Sequence, residues 1–116
     1  MRAKDGNLFD DIPETSAPKT EAEIFTDLLS APGLKVERII SLGHVTPADF
    51  WYDQAWSEWV MVASGAAAVL FEGEAEPHRL KAGDYLFIPP HQRHQVIWTE
   101  QDEPTIWLAI HFGDLP

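Results

Sequence analysis

From Leu34 onward the chain is a succession of short runs rich in Val, Ile, Trp, Tyr and Phe, broken every eight to twelve positions by turn-forming residues. That spacing leaves room for strands and little else, and it predicts an all-β sandwich or barrel. Strands are expected at 34–42, 49–54, 58–64, 66–72, 78–80, 85–88, 94–99 and 105–112. The turns fall at Ser64-Gly65, Gly73, Ala82-Gly83-Asp84, Pro89-Pro90 and Asp102-Glu103-Pro104. Tyr85-Leu86-Phe87-Ile88 and Ile106-Trp107-Leu108-Ala109-Ile110 read as apolar on both faces, so something is expected to cover the outside of the sheet. A homodimer partner or an N-terminal helix would do so.

Ahead of this region the pattern differs. Residues 1–19 carry Gly6, Pro13, Pro18 and several acids, which predicts an irregular arm that Leu8, Phe9 and Ile12 pin down. Thr20 and Glu23 have capping-box spacing, and Ile24, Phe25, Leu28 and Leu29 then share one helical face. A short helix ending before Ala31-Pro32-Gly33 is the expectation. With 116 residues, 45% of them hydrophobic, the chain suits one domain over 20–116, with its barrel core at about 34–112.

Nineteen acidic against eight basic residues leave a formal charge of -11, which argues against nucleic acid and anionic membrane surfaces as partners. No apolar run approaches the ~20 residues of a membrane helix, and the first residues have no stretch of signal-peptide type, so a cytoplasmic location is expected. Without cysteine, any metal would need histidine, carboxylate, amide or phenol donors.

Two blocks resemble the paired motifs of the cupin superfamily. In the first, Glu58 stands six intervening residues before Gly65, while Tyr52 and Gln54 hold the positions of two histidines. In the second, Gly83, Pro89 and His94 match at the right spacing, with His91 in place of a glycine and Trp98 in place of an asparagine. The likeness spans roughly 34–112 and is similar to small single-domain bacterial members of unassigned role. It implies a cupin-type antiparallel β-barrel, or jelly roll, preceded by the short helix. It also implies a facial site for one divalent transition metal, Fe, Mn, Ni or Zn, carried here by Gln54, Glu58 and His94 with Tyr52 beside them.

The residues themselves support a polar pocket. Tyr52 and Gln54 are two apart and share a strand face, and Glu58 has their parity. A buried Glu58 needs a partner, for which Arg38 and His94 are candidates. His111 alternates with Trp107 and Ala109 and so reaches the same interior, and Trp98 shares the parity of His94, where it could stack on a sugar or aromatic ring. His44 and His78 are expected in solvent and His91 at the rim, with Trp56 a pocket lip or a surface residue. No glycine-rich phosphate loop, hydrolase elbow or helical histidine pair is present. The main expectation is a small-molecule-binding cupin. A metal-dependent enzyme of dioxygenase or isomerase type, with Glu58 or His94 as acid, base or ligand, stays open beside it. So do a non-catalytic module sensing a sugar or small acid and a pure scaffold.

Overall fold

A computed structural model describes residues 3–15 and 22–116. Eight strands follow in order: β1 (Ile24–Ala31), β2 (Leu34–Ser41), β3 (Ser57–Ser64), β4 (Ala66–Phe71), β5 (His78–Lys81), β6 (Tyr85–Ile88), β7 (His94–Thr99) and β8 (Thr105–Phe112). They form a five-stranded sheet in the order β1-β2-β8-β3-β6 and a three-stranded sheet in the order β5-β4-β7, all of it paired antiparallel. The fold is therefore the antiparallel all-β barrel that the alternating runs require. Among the described residues there is no helix, and hence none long and apolar enough to cross a membrane.

The expected N-terminal helix is corrected to strand β1. Pro32-Gly33 folds residues 24–31 back onto β2, and seven residue pairs from Ile24↔Ile40 to Ala31↔Leu34 knit the hairpin. Closing so short a loop is entropically cheap, and it fills the free edge of β2, whereas a helix of this length alone is marginal. A bulge between Asp27 and Leu29 is what makes the apolar spacing imitate a helix. Thr20, the first residue of the expected capping box, lies outside the described residues.

Residues 49–54, expected as a strand, form an irregular segment running along β7 with a single isolated bridge. Tyr52 and His94 exchange backbone hydrogen bonds of 2.9 and 3.1 Å, and the His91 N–H reaches the Gln54 carbonyl at 2.6 Å.

The core lies between the sheets, where Val60, Val62, Val69, Phe71, Ile88, Trp107 and Ala109 interdigitate. Alternation sets which residues enter it: Glu58, Val60 and Val62 from β3 stand opposite His111, Ala109 and Trp107 from β8. Gly65 allows the chain to cross from one sheet to the other. Its φ is +87°, and a Cβ there would lie 2.6 Å from the Thr105 hydroxyl and 2.7 Å from its Cα, so no other residue fits.

Candidate functional site

At one end of the barrel the packing gives way to a cavity of about 90 Å³, walled by Val60, Val69, Ile88, Val96 and Trp107 and lined on its polar side by Glu23, Glu37, Tyr52, Gln54, Glu58, His94 and His111. A groove of about 540 Å³ adjoins it, built from the β1–β2 hairpin, Trp56 and the C-terminal Leu115-Pro116. Phe25, Glu37, Gln54 and His111 belong to both linings and form the neck between them.

Each polar group is placed by its element. His111 lies directly across from Glu58 in the β3–β8 ladder. Trp56, in the bend before β3, donates its indole N–H to His111 Nδ1 at 2.8 Å. An indole can only donate, so Nδ1 accepts and the ring proton sits on Nε2, which donates to Glu37 Oε1 at 2.8 Å. Glu37 is also met by Lys35 at 3.2 Å. Burial opposes ionisation of Glu37, but the contacts of His111 and Lys35 outweigh it and hold its carboxyl below the usual range.

His94 has the opposite tautomer. Its Nδ1 lies 2.8 Å from the Gln92 carbonyl, an acceptor only, so Nδ1 carries the proton and the Nε2 lone pair is left for the cavity. Tyr52 stacks on the His94 ring with centroids 5.5 Å apart. Burial, then the charges of Glu23 and Glu58, raise the Tyr52 pKa, so the phenol keeps its proton. Glu58 accepts from the Gln54 amide at 3.1 Å. Glu23 accepts from the Ser41 hydroxyl at 2.5 Å, and Ser41 in turn accepts from the Trp107 indole at 3.1 Å. Burial raises the Glu23 pKa, helped by the charges of Glu58 and Glu37 and only partly offset by Ser41 and His44.

Of the seven residues read from the sequence as lining the pocket, the cavity brings together Tyr52, Gln54, Glu58, His94 and His111. Arg38 and Trp98 lie elsewhere. The inward face of β2 is Glu37-Ile39-Ser41, which puts Arg38 outside, where its guanidinium donates to the carbonyls of Leu8 and Asp10 at 3.1 and 2.6 Å and pins the N-terminal arm. Trp98 is 38% exposed because β4 pairs Val69 with Val96 but Ala68 with Trp98. The extra residue, Ile97, reverses the parity that would have pointed Trp98 inward, and Thr99 is buried instead. His44, expected in solvent, is buried, accepting from the Leu42 N–H at 2.9 Å. Glu23 and Glu37 were missed by the sequence reading. Glu37 had a signal, its alternation with Ile39 and Ser41, whereas Glu23 had been assigned to a helix cap.

The donor set does not fit a transition metal. Gln54 turns its amide nitrogen to Glu58, the two histidine positions of the motif are held by Tyr52 and Gln54 in place of imidazoles, and both His111 nitrogens are engaged. Glu58 and His94 remain, and among the described residues no group of three His, Asp or Glu side chains could hold a metal ion.

Residues 43–111 match the family model for a cupin domain. A crystal structure from Ralstonia eutropha JMP134, provisionally named a mannose-6-phosphate isomerase, is 51% identical over 95% of this chain and 98% of that one, with a TM-score of 0.88. An uncharacterised conserved protein with a double-stranded β-helix domain from Klebsiella pneumoniae is 19% identical over 96% and 90% of the two chains at a TM-score of 0.73. The DMSP lyase DddQ from Ruegeria pomeroyi is 24% identical over 80% of this chain and 48% of its own, at 0.61. The latter two share the fold and nothing more specific. No curated protein sequence matches the chain.

Proposed function

This chain belongs to the cupin family, and from that premise we propose that it is a small-molecule-binding cupin whose ligand sits in the polar end of the barrel without a resident transition metal. One observation carries the reading. Glu58 and His94 are both buried and both line the cavity, yet the Nε2 of His94 and one carboxylate oxygen of Glu58 have no partner among the described residues. Among the described residues Arg38 Nε is the buried side-chain nitrogen or oxygen left without a partner, so these two acceptors are not sealed off and stay open to a ligand that enters the cavity. The fold alone does not choose a chemistry.

Saturation-transfer NMR with a set of small polar fragments tests this. Fragments should bind the wild type and lose binding in both Glu58→Gln and His94→Ala. A set in which no fragment responds to either substitution overturns the reading.

A second reading, proton transfer within the bound ligand, is favoured by two carboxyls whose environments push them apart. Burial raises Glu23 while His111 and Lys35 hold Glu37 down, and both line one cavity, so Glu23 is the better proton donor of the two and Glu37 the first to ionise. The isomerase part of the Ralstonia relative's name is compatible with that. Its phosphate part is not matched by the pocket, where Lys35 is the cation beside the neck and is already paired with Glu37 and Asp27. Deuterium uptake from solvent into glycolaldehyde, lost in Glu23→Gln and Glu37→Gln, is the expected result. Uptake no faster than in buffer contradicts it.

A further inference from the structure

Inside the cavity the Glu58 carboxylate has no counter-charge among the described residues. Glu58 is 7% exposed, and the hydrogen bond from Gln54 at 3.1 Å is the one its carboxylate accepts among the described residues. Glu37 is answered by Lys35 at 3.2 Å and His111 at 2.8 Å, whereas Glu23 accepts from the neutral Ser41 hydroxyl at 2.5 Å and burial raises its pKa. No lysine, arginine or histidine among the described residues pairs with Glu58. The same cavity is lined by His94, a ring 6% exposed whose Nδ1 is held by the Gln92 carbonyl, leaving the Nε2 lone pair. Two acceptors, one of them on a carboxylate, therefore face a space that suits a donor-rich ligand.

We propose that the ligand is a small organic cation, a primary ammonium that gives its N–H groups to Glu58 and to His94 Nε2. The proposal rests on the ligand-binding reading above and adds its charge class. An ammonium supplies several donors and the missing positive charge in one group, and charge-assisted hydrogen bonds of this kind are the stronger ones. The rings of Tyr52 and Trp107 in the cavity lining favour a cation over a neutral ligand of equal size. A phosphorylated or carboxylated ligand would meet Glu23, Glu37 and Glu58 with no free cation to receive it. A metal ion would find two donors where it needs at least three from the protein. The charge of -11 on the whole chain steers cations toward it and anions away.

Calorimetric titration at pH 7 with ethanolamine, ethylene glycol and glycolate tests the charge class on one skeleton. Ethanolamine should bind at least tenfold more tightly than ethylene glycol, glycolate should give no saturable heat, and the preference should vanish in Glu58→Gln. In the absence of ligand, Glu58→Gln should melt with the wild type, since the amide keeps the shape of the carboxylate and can still accept from Gln54. This shows that the variant is folded.

Ethylene glycol or glycolate binding as tightly as ethanolamine, or a preference that survives in a Glu58→Gln protein of unchanged melting temperature, overturns the cation while leaving a binding protein. Saturable binding by none of the three, with a blank fragment screen, overturns both readings. Zinc or manganese(II) chloride binding stoichiometrically, more tightly than ethanolamine and through Glu58, assigns the charge to a metal and overturns the ammonium.

Discussion

Trp56 donates to His111 Nδ1 at 2.8 Å, so His111 keeps its proton on Nε2 and donates it in a hydrogen bond to Glu37, while His94 in the same cavity carries its proton on Nδ1. The two rings are expected to show opposite tautomers in long-range ¹H–¹⁵N spectra of the imidazoles. Trp56→Phe removes the donor that fixes His111 and should cost about 1 kcal/mol, with the His111 pattern changed and that of His94 retained. Equal patterns for the two rings in the wild type would contradict the arrangement.

Glu37 gives a pH signature. Its folded pKa lies below the ordinary carboxylate value of 4.5, so the stability it contributes is fully present above that value and is lost as pH falls through the lowered folded pKa. Glu37→Gln should therefore destabilise by about 1–2 kcal/mol at neutral pH and by progressively less on acidification. Glu23 has the opposite sign, because its folded pKa is raised. Glu23→Gln should stabilise at high pH, with the gain fading as pH falls through the raised value. Chemical denaturation across pH 3 to 8 measures both.

At the scale of elements, the alternation of short runs made seven of the eight strands legible and hid the eighth. β2 to β8 lie within a residue or two of the expected bounds because strand-forming residues and turn signals agree there. β1 was unreadable as a strand because its bulge gives Ile24, Phe25, Leu28 and Leu29 helical spacing, and with it went Glu23. The same limit applies within β7, where motif spacing found His94 but alternation misplaced Trp98 beyond a bulge that no residue announces.

Arg38 failed for a different reason. Both faces of β2 are covered, one by the barrel interior and one by the arm at Leu8 and Asp10, so hydrophobicity does not say which is inside. Arg38→Ala should release the arm, raising amide exchange in residues 7–12 and costing about 1–3 kcal/mol for the charged hydrogen bonds, with fragment binding unchanged. Loss of binding would place Arg38 in the site after all. Gly65→Ala should cost more than about 2 kcal/mol, since it combines a positive φ with a clash against Thr105. A melting curve unchanged by that substitution would refute the close approach.

For the molecule as a whole, the outer face of the five-stranded sheet carries exposed apolar side chains as the sequence led one to expect, and the described residues of the arm meet it at Arg38 of β2. Trp59 with Tyr85 and Phe87 with Phe112 form an aromatic strip at the β6 edge, with Tyr85 and Phe87 64% and 53% exposed. We infer that a second copy of the chain covers this strip, because contiguous exposed aromatics on an edge strand favour self-association. Light scattering should give a dimer that Phe87→Lys converts to monomer; a monomeric wild type contradicts this.

The central claim is that the barrel's polar end takes an organic ligand where its family resemblance would place a transition metal. Elemental analysis of untagged protein, purified without chelator and set beside His94→Ala, tests that most directly. The account predicts transition metal well below one equivalent and no difference between the two proteins, whereas a near-stoichiometric metal that disappears in His94→Ala would contradict it.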